Sequence, residues 1–298
     1  MSLFATLAAL AWEHARPSRP PQPLQQARRW HGWLLEYLNA GGEQHGVLAW
    51  TLGVGLPALA VLLLQGRLEG GWEALGWAAE VAVLYFCLGF RPGMGRAAAI
   101  AGALMRREIA EAQQRLHEWR PGLRAGADVS SLARQTVEEL LRLAMGRLFG
   151  VLFWFFLLGA AGAVLYLLTR EACSRWHGEA AFGAFSARVQ VWLDWLPARM
   201  LAFSFAIVGN FQDAMDSWRS QARAWGDEAE GAVLAAGAGA LGLRLGGRIH
   251  LADGDLARPD LGLDEAAGAE AVSAAEALIW RALLLWLAAL ALLWLGGL

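Results

Sequence analysis

Arg199 and Asp194 share one apolar run, LDWLPARM, and ionisable groups at membrane depth are the first residues to ask for a chemical reason. Five positions apart on a helix, they diverge by about 140°, so each meets groups on another helix. Arg199 has two readings. In one it snorkels to the headgroups or buttresses the turn at Pro197; in the other its guanidinium binds a phosphate, pyrophosphate or peptide carboxylate. Glu138 and Glu139 follow Thr136 near a helix start and suit Arg142 as helix-surface partners, with Glu138 also a candidate pocket acid. Glu80 lies inside another apolar run, where a carboxylate must face protein or water or be protonated. Arg199 or Arg281 is its expected partner if it binds no ligand. Glu13 ends the first apolar run beside His14 and Arg16, marking an interface or a ligand contact. Asn210 is placed to cap the helix that follows it.

Other chemistries find no support in the spacing. The six histidines, 14, 31, 45, 117, 177 and 250, form no HxxxH or HExxH pattern, and Cys87 and Cys173 form no metal or disulfide framework. No metal ligand is assigned. The glycine-rich stretch EGAVLAAGAGALGLRLGG has no phosphate-loop Lys-Ser/Thr, and the chain has no lysine at all, so close helix packing is the expected use of its small residues.

The elements that hold these groups read as membrane helices. Leu148 to Thr169 carries no formal charge over 22 residues, which at about 1.5 Å per residue reaches the roughly 30 Å of a bilayer core. Across 298 residues, 57% are apolar and 17% charged, with 16 tryptophans. Trp50, Trp72, Trp77, Trp154, Trp195, Trp280 and Trp294 flank apolar runs, as an interfacial belt would. A net charge of -2 excludes a general nucleic-acid footprint.

The expected fold class is all-α, a polytopic helical membrane protein in contact with the lipid bilayer. Residues 1–46 form a short, retained apolar helix over 2–12 and an amphipathic region, parted by Pro17, Pro20, Pro21 and Pro23. Residues 47–90 hold two spans, the first bent at Pro57. Residues 91–147 are a helical hairpin, with Asp128 or Ser130 capping its second helix. Residues 148–209 hold two membrane segments with a loop between them, the second starting near Leu193 as a charged-ended or re-entrant helix. Residues 210–276 are amphiphilic, with a loop-like acidic stretch over 250–271 and an ambiguous helix over 231–247, and 277–298 is the last span. Ten arginines in 91–147 place that hairpin, the N-terminal region and 210–276 in the cytoplasm of a bacterial inner-membrane protein.

The residues also resemble a known superfamily, the CobD/CbiB proteins of cobalamin synthesis with their relative AmpE. The cobalamin branch shows stretches like VET-LAENLVDG-VVAPLFWF, G-PGALLY, NTLDS and AARLDD-LNWIPARL. Here stand Val137-Glu138-Glu139-Leu140, Phe153-Trp154-Phe155, Gly159, Gly162 and Tyr166, then Arg188 and Trp195-Leu196-Pro197-Ala198-Arg199. The chain departs where the branch has Glu-Asn (Arg142-Leu143), Asp-Gly (Gly146-Arg147), Asn-Thr-Leu-Asp-Ser (Arg170 to Ser174) and Asp-Asp (Gln190-Val191). MSLFATLAALAWEH and DWLPARM with FAIVGNF resemble AmpE. That resemblance implies an accessory signalling modulator of cell-wall recycling and β-lactamase induction, partnered by a cell-wall amidase or an anionic muropeptide and without catalytic residues. The alternative implication is an amide-forming synthase of cobalamin biosynthesis using ATP and Mg²⁺. Transport, from Glu80, Asp194 and Arg199, is a weaker third reading because no inverted repeat is evident.

Overall fold

The computed structural model describes residues 2–15, 22–69, 73–124, 126, 128–251 and 254–296. Prolines 17, 20 and 21, and the tryptophan at 72, lie outside them. Contacts divide the chain into two units, residues 1–91 with 146–197 and residues 92–145 with 198–298.

In the first unit, α1 (Ser2–Ala15) packs on α5 (Glu73–Cys87), while α2 (Gln22–Leu38) and α4 (Leu56–Glu69) pack on α9 (Gly150–Trp176). Leu34, Ala49, Val54, Ala172, Trp176 and Phe182 form a buried core. The expected bend at Pro57 takes a specific form: α3 (Glu43–Trp50) enters a π-turn at Thr51–Gly55 directly before α4. A proline at 57 cannot donate to the carbonyl of Gly53 one turn earlier. His31 Nε2 lies 3.3 Å from that Gly53 oxygen and fills the vacancy as the donor.

The largest departure concerns α9. Gly159 sits at φ 65°, ψ -154°, a conformation open essentially to glycine alone. A Cβ on Gly150 would fall 2.3 Å from the Tyr166 ring, and one on Gly146 the same distance from the Arg170 guanidinium. In a straight helix those partners would be about 24 Å and 36 Å or less apart along the axis, never in contact. The charge-free run therefore reverses at Gly159 and forms a re-entrant helical hairpin. Trp154 with Gly162, Gly150 with Tyr166 and Gly146 with Arg170 meet in four-residue steps away from the turn, a glycine in each pair permitting the approach. The expectation of one straight span over 148–169 is corrected on this point.

In the second unit, α8 (Val129–Ala144) is capped by Asp128, which accepts from the Ser131 N–H at 2.9 Å. It packs on α12 (Glu228–Leu241) and α13 (Glu270–Leu295), and α11 (Phe211–Gln221) packs on α12. The Ala/Gly run over 231–247 is helix α12 only as far as Leu241, buried along almost its whole length, and leaves the helix at Gly242. A Cβ at Gly237 would meet Leu141 at 2.8 Å, and one at Gly239 would meet the Asp213 carbonyl at 2.3 Å, so its small residues serve close packing as expected. The first helix expected in the 91–147 hairpin is interrupted: α6 (Arg91–Met105) ends and α7 (Ile109–Trp119) begins around Arg107, at φ 61°.

Residues 250–271 are less loop-like than expected. Strands β1 (Leu123–Arg124), β3 (Ile249–Leu251) and β4 (Gly254–Leu256) form one antiparallel sheet, and β2 (Arg244–Gly246) pairs with β5 (Asp260–Gly262). Residues 170–192 form no long loop, because α9 runs to Trp176 and α10 (Ala180–Val208) is helical from Ala180 on. Five stretches, Glu43–Leu68, Ala74–Met105, Val129–Trp176, Ala180–Val208 and Glu270–Leu295, are long and apolar enough to cross a membrane. The protein is an all-α polytopic membrane protein in type, with almost no sheet.

Candidate functional site

One proline and one glycine turn build the polar centre of the first unit. Pro197 lies inside α10 and leaves the Leu193 carbonyl without its helical donor. The Trp154 indole N–H, on the near arm of the re-entrant hairpin, donates to Leu193 O at 3.0 Å. Trp154 and Pro197, singled out separately in the sequence, thus act on one carbonyl, which ties the arm to α10.

That tie sets Asp194 against the far arm. Asp194 Oδ1 accepts from the Tyr166 hydroxyl at 2.7 Å, and Oδ2 accepts from the Gln190 amide at 2.7 Å, with Arg170 Nη1 at 3.7 Å. Next to Arg170, Glu171 is 7% exposed and accepts from Arg28 Nε at 2.7 Å and from Arg147 Nη2. Three guanidinium groups therefore surround two carboxylates, leaving positive charge in excess. Arg28 is 54% exposed and Arg147 13%, so the cluster grades from the protein interior to its surface.

Such a donor set suits anionic oxygens of a phosphate or carboxylate, which guanidinium forks recognise directly. It does not suit a side-chain cage for Mg²⁺. Both Glu171 oxygens are engaged by arginines, both Asp194 oxygens by Tyr166 and Gln190, and no group of three His, Cys, Asp or Glu side chains gathers among the described residues. Asp194 is held by two neutral donors, with the Arg170 guanidinium beside it.

The other sequence candidates stand elsewhere. Arg199 pairs with Glu228 at 2.9 Å within the second unit. Glu138 is 1% exposed and fully engaged: it accepts from Arg258 Nη1 at 2.7 Å, Arg142 Nη2 at 3.2 Å and the Gly246 N–H at 2.9 Å. Arg142 also bridges Glu139 and Glu230, each at 2.6 Å, and Arg258 stacks 5.0 Å over Trp225. The expected helix-surface pair is a buried network that fastens the β2 turn to α8. Burial pushes the Glu230 carboxyl up, but Arg142 and the Trp225 N–H outweigh it and hold the group below the usual carboxylate range.

Glu13 accepts from the Arg91 N–H at 3.1 Å, at the first turn of α6, and burial raises its carboxyl above the usual range. Glu80 lines a cavity between α4, α5 and the hairpin turn. Arg188 pairs with Glu43, Trp195 is exposed, and Asn210 caps α11 by accepting from the Asp213 N–H at 3.2 Å. Residues 147, 170, 171 and 190 entered the sequence reading as losses, not as a site. Their signal was present in the motif register, whereas nothing in the sequence marked Arg28.

Comparison with known proteins places this cluster in context. The model of a family described as CobD/Cbib protein matches residues 3–279. A cobalamin biosynthesis protein CobD of Stutzerimonas stutzeri is 37% identical over 252 residues, covering 83% of this chain and 81% of its own. One of the same name from Chromobacterium violaceum is 35% identical over 247 residues, covering 78% of each chain. A third, from Yersinia enterocolitica, is 28% identical over 280 residues, covering 83% of each. No solved structure matches. These findings overturn the AmpE-like signalling assignment, and the amidase and muropeptide partners inferred from it lose their support. Position by position, most of the motif acids of the cobalamin branch are replaced in this chain. In three dimensions Glu171 and Asp194 bring two carboxylates to the place where the altered positions converge.

Proposed function

The chain belongs to the CobD/CbiB family, and on that premise we propose that it serves cobalamin biosynthesis as an inner-membrane synthase joining a carboxylate to an amine with ATP. The N-terminal region and the base of the re-entrant hairpin face the cytoplasm in this reading, where the arginine-rich segments concentrate. The observation that carries it is the convergence of Arg147, Arg170, Glu171, Gln190 and Asp194, all at or beside altered motif positions, in one graded polar cluster.

Arg147 and Arg170 stabilise anionic oxygens of the phosphoryl group as it passes to the substrate carboxylate. The amine nitrogen then attacks the activated carbonyl carbon, phosphate leaves, and the nitrogen's proton passes to Asp194, which Tyr166 and Gln190 hold in place. No step is assigned to a protein-held metal, because the donors present do not fit one.

The test is complementation. A bacterium that makes its own cobalamin and lacks its CobD-family protein is given the full chain, and growth dependent on cobalamin is measured. Restored growth, lost with Asp194→Asn and with Arg170→Ala at unchanged membrane abundance, is the expected result. Absence of restoration by an abundant, membrane-inserted wild-type chain overturns the assignment.

A further inference from the structure

A second polar feature lies at the other end of the re-entrant hairpin. Arg147 and Glu171 each stand twelve residues from Gly159, so the turn is about 18 Å from the arginine cluster. At the turn is a cavity of about 260 Å³, lined by Leu64 and Leu68 of α4, Trp77 and Glu80 of α5, and Ala160 beside the reversal. Gln65 completes it. Gly159 leaves space for the Gln65 amide nitrogen, which a Cβ would meet at 2.2 Å, and the buried Gln65 Oε1 has no hydrogen-bond partner among the described residues.

Broken helices at membrane depth are tolerated where the interrupted backbone lines a cavity, and such breaks mark ligand sites in membrane bundles. The chemistry of this cavity is opposite to that of the arginine cluster. Its acidic side chain is Glu80, its unsatisfied atom is the Gln65 Oε1 acceptor, and Trp77 is part of its lining, a set that favours a cation bearing N–H donors. Its position also indicates where that cation comes from. The lining belongs to the last turns of α4 and the first turns of α5, near the adjoining ends of two stretches long and apolar enough to cross a membrane, and Leu62, Leu63 and Leu64 stay at least half exposed on α4.

The geometry points to a site for the primary ammonium head of a membrane amphiphile, with Glu80 and Gln65 Oε1 accepting its N–H groups and the acyl chains lying along the outward leucines of α4. This site is separate from the proposed synthase centre and does not depend on it. Recognition by N–H donors discriminates a primary ammonium from a quaternary one, which has none to give.

Purified full-length protein in detergent micelles is titrated with dioleoylphosphatidylethanolamine, with dioleoylphosphatidylcholine and with soluble ethanolamine, and heat of binding is recorded. Saturable binding of the ethanolamine lipid, tighter than the choline lipid by about tenfold or more, is expected from hydrogen bonds to a charged group. Glu80→Gln and Gln65→Leu weaken it by a similar factor. Should Glu80→Gln fail to fold, Gln65→Leu carries the comparison. Equal binding of the two lipids, or undiminished preference in the folded variants, overturns the proposal. Soluble ethanolamine binding as tightly as the lipid would also overturn it, by assigning the cavity to a water-borne amine.

Discussion

The Trp154 to Leu193 hydrogen bond should be worth measuring only because Pro197 is present, and a double-mutant cycle isolates that dependence. In Trp154→Phe the ring persists while the indole N–H is lost, leaving the Leu193 carbonyl, in a residue 7% exposed, without the donor it has at 3.0 Å. An acceptor stranded in the interior costs about 1–3 kcal/mol, and side-chain hydrogen bonds in membrane bundles average nearer 0.6 kcal/mol. The expected loss is therefore about 1 kcal/mol. Pro197→Ala restores a backbone N–H one turn after Leu193, so in that background Trp154→Phe should cost less than about 0.5 kcal/mol. Unfolding in mixed detergent micelles, followed by loss of helical circular dichroism, gives all four stabilities. Equal costs of Trp154→Phe with and without Pro197 would refute the idea that the indole replaces the missing helical bond.

Gly159→Ala is expected to destabilise by about 1–3 kcal/mol from backbone strain alone, and the same unfolding assay should show part of the loss persisting in a Gln65→Ala background, where the 2.2 Å contact is relieved. Gly150→Ala should push Tyr166 off Asp194 and lower cobalamin-dependent complementation more than it lowers abundance. Glu138→Ala should cost about 3–5 kcal/mol, because Arg258 would be left buried without its carboxylate and the Gly246 N–H without its acceptor. For His31, burial holds the imidazole below its ordinary value, with Gly53 O and Glu171 offsetting part of the shift. Its unfolded form takes up a proton first, so its contribution is complete above about pH 6.5 and falls as pH drops from there towards the folded value. Thermal midpoints at pH 7.5 and 5.5 should differ less in His31→Gln than in the wild type.

Much of the fold was legible because apolar run length and helix caps are local properties. Asp128 and Asn210 occupy the cap positions that their types suggested, and the Ala/Gly run packs closely because small side chains admit neighbouring backbones. The candidate site was legible only in pieces. Tyr166, Asp194 and the altered motif positions were each visible, but no local pattern encodes the distance between residues 147 and 171, and Arg28 reaches Glu171 across 143 positions. Reading lost acids one position at a time also pulled the assignment toward the wrong branch of the family.

The sequence by itself determined that long stretches of this chain exchange water for lipid, since that depends on composition summed along a helix. Only the tertiary structure decided that the longest of them turns back at Gly159. Charge-free length is the same for a straight helix and for two antiparallel arms, and the choice between them rests on one residue's φ and on glycines placed so that Arg170, Tyr166 and Trp154 can lie against opposing backbone. That reversal is what turns residues far apart in the chain into a polar cluster at one end and a cavity at the other.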